Sequence, residues 1–325
     1  DEDEPYNRED SKKYTIKAFE YLDSEDAFAN TKIKSIHIGR NVAQITGAFK
    51  NCNMLESITI EPGNTLFVTD GNAVYQKTNI SDGYKTKEVL MLEYYIPSKA
   101  NGNINLKSDV YIINDYAFYG CKNIGEVKVD ELIYVGYSAF ENSSITKFTA
   151  GGEYYIFDSA FRNCKNLQSI NLENVDYIDN AAFENCTSLK NVTFSENIGQ
   201  IGALAFSNTG LTDVVIYGYY CGIYEGAFMN CANLQSVKLE EGVNYLEMNV
   251  FLGCPSLKTI YLSKTVQYFD DNAFNGCDNV TFELVKNTDA YDYIVDNTDF
   301  DYEIVGRYTL WQRIIDFFRM LFGLD

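Results

Sequence analysis

The side chains best able to do chemistry in this chain are one histidine, eight cysteines and 46 acidic residues. A Ser-His-Asp or Cys-His nucleophile would have to use His37, and no nucleophile-elbow motif accompanies it. His37 falls at an outward position of the alternating run "IKSIHIG" and reads as a solvated surface side chain. The sequence holds no His-Glu-x-x-His, no phosphate-binding Gly-rich loop and no dinucleotide fingerprint. Neither a metal nor a cofactor is expected. Carboxylate pairs suited to glycoside hydrolysis can be drawn from the acids in many ways, and nothing selects one. A non-catalytic protein is the expectation.

The cysteines point inward rather than to reactivity. Cys52, Cys121, Cys164, Cys186, Cys231, Cys254 and Cys277 each stand three residues after a phenylalanine, as in "AFRNC" and "AFENC". Where the slot lacks cysteine ("AFANTKI", "AFENSSI", "AFSNTGL"), the next apolar residue comes one position sooner. Cysteine thus travels with a longer turn and is expected to fill a small buried space as a free thiol. A disulfide between stacked neighbours such as Cys231 and Cys254 requires Cβ atoms about 4 Å apart. The spacing of the slots is unlike any zinc pattern. Cys221, in "YGYYCGIYEG", lies outside the slot and is the cysteine most open to reaction, against the plainer reading of a structural thiol.

The elements that place these residues come from a repeat. Phe28, Phe49, Phe118, Phe140, Phe161, Phe183, Phe206, Phe228, Phe251 and Phe274 start one phrase, most of them 21 to 23 residues apart. Apolar residues follow six, nine and eleven positions on, as with Leu167, Ile170 and Leu172. A period of this length predicts a solenoid, in which each unit buries its apolar face against its neighbours. The Leu-x-x-Ile-x-Leu end reads as a short strand with one buried face. The gap from Phe49 to Phe118 leaves room for two irregular repeats. In it, "EPGNTLFVTDGNAVYQK" reads as a hairpin turning at Asp70-Gly71, and "MLEYYIPSK" as a strand ending at Pro97.

The recurring AFxxCxxLxxIxL phrase and the "GN…DGNAVYQK…YYIP" insertion resemble the bacterial leucine-rich repeats of the BspA type, over roughly residues 27 to 305. The resemblance implies an α/β-type leucine-rich repeat solenoid, a right-handed superhelix with short parallel strands on its concave face. It also implies that "VTFELVKNTDAYDYIVDNTDFDYEIV" closes the stack with a short helix and a last strand. The family's frequent Ile-Pro before the turn is absent from most repeats here. The expected organisation is an acidic segment and N-terminal cap (1–26), a solenoid of about 12 repeats (27–284, irregular at 61–105), a cap (285–306) and a C-terminal amphipathic helix (307–325). Family likeness further implies a secreted or cell-surface protein that adheres to host or neighbouring-cell protein or glycan.

Composition agrees with an extended recognition surface. The formal charge of −20 argues against nucleic acid and against adsorption to anionic lipid. No run of about 20 apolar residues could span a bilayer. The chain starts at Asp1 without a signal segment and is expected to be a mature or trimmed form of an exported protein. Sequons such as Asn185-Cys186-Thr187 follow from an Asn-rich repeat and carry no functional weight.

Two candidate contact regions remain. Outward residues of successive strands are small and polar in the middle repeats (Ser169, Asn171, Asn191, Thr193), then change character: Asp213, Val215, Tyr217, Lys238, Glu240 and Tyr261 form the expected ligand patch. Tyrosine offers apolar area and a hydroxyl, although exposed tyrosine also simply suits a strand. In the tail "YTLWQRIIDFFRMLFGLD", Trp311, Ile314, Phe317, Phe318 and Leu321 belong to a wide apolar helical face. That face must dock on its own chain, pair with another copy, or lie in a membrane interface. The rival to a binding module is a structural spacer that self-associates through this tail. A polysaccharide-handling enzyme or accessory is the remoter alternative.

Overall fold

A repeat of about 22 residues is too small to close a core alone, and the chain solves this with two short strands and one tight corner per turn. The computed structural model describes residues 13–16, 27–81, 83–270, 272–307 and 315; most of the acidic start and the tail positions Trp311, Ile314, Phe317, Phe318 and Leu321 lie outside them. The result is a solenoid of about 12 turns with parallel strands.

The Leu-x-x-Ile-x-Leu phrase supplies the first strand of each turn. Asp213–Ile216 alternates exposed and buried residues, as the sequence pattern requires. Its neighbours stack in strict register, Val214 beside Val237, Ile260 and Phe282. This face is assembled in three stretches, of three, four and five strands. The second strand of each turn precedes the Ala-Phe pair. These second strands join one eleven-stranded sheet, which ends at Tyr268–Phe269 in the last full turn.

Between second strand and next first strand the chain turns sharply. Residues two before and two after the corner phenylalanine adopt left-handed backbone: Ser159 and Asn163 (φ 58° and 60°) flank Phe161, Ala181 and Asn185 (φ 53° and 65°) flank Phe183. Asn tolerates that region and Gly is free in it, which explains the recurring Asn after Ala-Phe-x. The corners bond to one another: Phe161 N donates to Ala182 O at 2.8 Å and Phe183 N to Ala205 O at 2.7 Å. The residue beside the ring is small and fully buried, Ala160, Ala182 and Ala205 having no exposed surface and Val250 taking the same place before Phe251.

The corner phenylalanines form a continuous column. Phe118, Phe140, Phe161, Phe183, Phe206, Phe228 and Phe251 follow one another with centroids 4.7–5.9 Å apart and near-parallel planes. In the gap between Phe49 and Phe118, adjacent tyrosines bridge the ring column, with Tyr94 against Phe49 at 5.5 Å and Tyr95 against Phe118 at 5.0 Å. The surplus residues extend the eleven-stranded sheet as an antiparallel hairpin, Ala73–Ser81 with Thr86–Tyr95, preceded by Phe67–Thr69; its base is buried in the core and only its far half projects. Asp70 makes the expected turn, its Oδ1 accepting from Asn72 N and Ala73 N at 2.9 and 3.0 Å. At the other end Thr288 caps the helix Asp289–Asn297 by accepting from Tyr291 N, and the helix buries Ala290 and Ile294. The strand Asp301–Arg307 then pairs with Thr281–Lys286. The short helix and last strand expected at this end are both present.

Candidate recognition surface

The cysteine slot is a hydrogen-bonding position. All eight cysteines are free and buried. Cys52, Cys164, Cys186, Cys231 and Cys254 each donate S–H to the carbonyl of a corner phenylalanine in the preceding turn, at 3.0–3.2 Å. In the shorter turns the slot holds Thr31, Ser143 or Thr209, and each contacts the sulfur of the next turn's cysteine. The sequence reading of a small space-filler thus misses half of the role: the thiol adds a second donor to carbonyls such as those of Phe140 and Phe161, which already accept from Ser143 N and Cys164 N. Burial pushes the Cys164 and Cys121 thiols up to about 12. Cys221 is equally enclosed and is also raised to about 12 by burial, which makes it a quiet structural thiol. The Cys254 thiol is raised by its neighbour Cys231 and by burial.

His37 sits at an outward position of Ser35–Ile38, its Nδ1 2.9 Å from Thr59 Oγ1. No nucleophile stands in that contact beyond a threonine hydroxyl. Among the described residues no group of His, Cys, Asp and Glu could hold a metal ion.

The expected ligand patch lies on the last first-strand sheet. Val215, Lys238 and Tyr261 are direct neighbours across parallel strands, continued by Glu283 and Glu303. Asp213 heads the adjoining row, and its Oδ1 accepts from Ser236 Oγ at 2.6 Å. Tyr217 and Glu240 each lie one residue past the paired stretch. Val215 and Tyr217 are 40% and 48% exposed. Burial raises the Tyr261 hydroxyl, helped by the charges of Glu240, Glu241 and Glu283. Residues from turns 23 positions apart therefore form one composite surface, its side chains about 4.8 Å apart between strands. In the middle turns the same face is less available, because Asn171 is tied to the backbone of Ala150 through both amide atoms.

The second-strand sheet carries a feature absent from the sequence reading. From Phe140 to Phe274 the residue six before the corner phenylalanine gives the in-register row Tyr134, Tyr155, Tyr177, Gln200, Gly222, Tyr245, Tyr268, whose tyrosines are partly or well exposed; Gly222 is buried, as is Ile112, the equivalent residue before Phe118. Tyr155, Tyr177 and Tyr268 are 40%, 47% and 61% exposed. The row was hidden because Gln200 and Gly222 interrupt it and no apolar pattern marks it.

The comparisons with known proteins bear on this architecture. The sequence model of the BspA type leucine rich repeat region matches in six copies, over residues 23–101, 94–179 and 154–281. The chain belongs to that family. Solved structures with the same fold include a leucine rich repeat protein of T. pallidum, 23% identical over 71% of this chain and 96% of that one, with a TM-score of 0.46. A leucine-rich repeat protein from Eubacterium ventriosum is 24% identical over 76% of this chain and 59% of its own, with a TM-score of 0.47. A leucine rich cell surface protein from Faecalibacterium prausnitzii is 22% identical over 72% of this chain, with a TM-score of 0.40; the match spans about half, 48%, of that protein. No curated protein matches the chain. In this BspA-type solenoid the corners are regular and the outer tyrosine row is varied. No helix among the described residues is long and apolar enough to cross a membrane.

Proposed function

We propose that this BspA-type solenoid is a non-catalytic recognition module, secreted or held at the cell surface, that binds an extracellular protein or glycan. One observation carries the reading. Val215, Lys238 and Tyr261, distant in sequence, stand side by side on an exposed sheet, with Tyr217 at its margin. A half-exposed tyrosine with a neighbouring cation and carboxylates is the composition of a binding hot spot rather than of a solvated face. Family membership supports the class, since leucine-rich repeats are generally non-catalytic binding scaffolds. The test is a screen of the full chain against immobilised matrix proteins, mucins and glycans, with the Tyr217→Ser/Tyr261→Ser variant alongside. Loss of a specific hit in the variant supports the patch; retention of every hit removes it.

A second reading, self-association at the C-terminal end, is favoured by the last strand. Tyr302, Ile304 and Val305 are 43%, 52% and 51% exposed there, an uncovered apolar edge. The tail that follows is the segment expected to mediate assembly. Under this reading, mass measured by light scattering rises with concentration and falls to monomer when the chain ends at residue 306. A concentration-independent monomer speaks against it.

A further inference from the structure

The outer tyrosine row and the charges around it differ from every other face of the molecule. In the segments that carry the second strands from Tyr134 to Tyr268, acids recur: Glu153, Asp158, Asp176, Asp179, Glu225 and Glu247. The same segments hold one cation, Lys264, which is already engaged with Glu241 at 3.8 Å. Lysines such as Lys128, Lys147 and Lys238 belong instead to the opposite, first-strand sheet. Two carboxyls on the tyrosine side report the uncompensated field. Asp176 is raised by burial and the charge of Glu153, and Asp179 by burial and that of Asp158.

We infer that the row Tyr134–Tyr155–Tyr177–Tyr245–Tyr268 with its flanking carboxylates is a docking strip for an extended basic segment of another protein, rich in lysine or arginine. The chain contains its own precedent. In the N-terminal turns lysines stand over tyrosine rings: Lys87 is 4.2 Å from the centroid of Tyr111, and Lys50 is 4.4 Å from that of Tyr116. Lys107 likewise stands 4.8 Å over Tyr75. From Tyr134 onward the rings continue along the same sheet, and none of these later rings is covered by a lysine or arginine of the described residues. Ammonium and guanidinium groups are attracted to an aromatic face, most strongly when carboxylates lie beside it.

Two hollows along the strip repeat the same chemistry. One, of about 400 Å³, is lined by Asp115, Tyr116, Tyr137 and Asp158. The other, of about 690 Å³, lies where the row meets the C-terminal helix and is lined by Tyr245, Tyr268, Asp289 and Tyr293. Between them the surface is lowered by glycine: a Cβ on Gly222 would come within 3.2 Å of the Tyr224 ring. Six strand spacings separate Tyr134 from Tyr268, about 29 Å. That distance suits about nine extended residues. A neutral glycan could stack on the rings and donate hydroxyls to the carboxylates, but it would not neutralise their charge. Anionic ligands are repelled.

This site is separate from the patch at Tyr217 and Tyr261, so it stands or falls independently of the proposed function. The test uses the full chain and a labelled oligoarginine peptide of about nine residues at about 0.15 M salt. Tyr155→Ser/Tyr177→Ser should weaken binding about ten-fold, the loss of two cation–π contacts. Tyr155→Phe/Tyr177→Phe, which keeps the rings and secures the fold, should retain most of the affinity. A charge control that removes two carboxylates off the row, Asp299→Asn/Asp301→Asn, should change it by less than about two-fold. Equal binding by the serine variant, or equal weakening by the control, would mean diffuse polyelectrolyte attraction and overturn the proposal. So would a neutral oligosaccharide that binds this row while the peptide does not.

Discussion

Two columns of aromatic rings run along this solenoid, one inside and one outside, and the same repeat generates both. From Phe118 to Phe251 the inner column places a phenylalanine at every corner, each fully buried and stacked on the next. The outer column, six residues earlier, tolerates Gln200 and Gly222 among its tyrosines and leaves Tyr268 61% exposed. The inner column cannot tolerate such variation, since a missing ring opens a void that two turns must share. Tolerance outside and strictness inside separate what holds the stack from what the stack can present.

The largest effect should come from breaking the inner column. Phe183→Ala removes a ring between Phe161 and Phe206 and should cost about 3–5 kcal/mol. Urea melts should then broaden or split, because each turn depends on its nearest neighbours. A loss below about 1 kcal/mol would mean the column is not the source of stability.

Glu93 sharpens the contrast from within. It is 2% exposed, accepts from Thr46 Oγ1 and Asn114 Nδ2, and has a carboxyl pushed up to about 7, chiefly by burial. Ionisation therefore disfavours the folded state. The cost is absent below the unfolded value near 4.5 and complete above about 7, so stability should fall by about 3 kcal/mol as pH rises through that window. Glu93→Gln should flatten this slope and match wild type only at the acidic end. An unchanged slope in the variant would place the pH dependence elsewhere.

Smaller again is the cysteine slot. Cys186→Ala removes the second of two donors to the Phe161 carbonyl, which keeps its bond from Cys164 N at 3.0 Å, and empties a buried slot; it should cost about 1–2 kcal/mol. Cys186→Ser keeps a donor and should lose less; if serine is worse than alanine, space-filling outweighs the hydrogen bond. The smallest effect is expected outside: Tyr155→Ser/Tyr177→Ser should shift stability by less than about 1 kcal/mol, because only one ring pair at 5.5 Å is lost.

What could be read from the sequence follows the same division. The solenoid, the first strands and the buried cysteines announce themselves because burial forces apolar residues into fixed phase, whereas the closing helix was expected from the family resemblance. The hairpin's turn at Asp70 was legible, but the bridge of adjacent rings at Tyr94–Tyr95 was not, since only packing decides which surplus residues join the core and which project. The patch at Val215, Lys238 and Tyr261 could be assembled from strand alternation alone. The tyrosine row could not, because an outward position is under no constraint of phase and its gaps erase the pattern. The carboxyl of Glu93 was invisible for a related reason: its partners Thr46 and Asn114 lie 47 and 21 residues away.

The most direct measurement pairs binding with thermal melting on one set of full-length variants. Tyr217→Ser/Tyr261→Ser and Tyr155→Ser/Tyr177→Ser are run beside Phe183→Ala in the screen of matrix proteins, mucins, glycans and basic peptide. If the inner column holds the stack and the outer faces present it, the tyrosine variants lose ligands at an unchanged melting temperature, and Phe183→Ala melts lower. Full binding by both tyrosine variants, or melting temperatures as low as that of Phe183→Ala, would contradict that division.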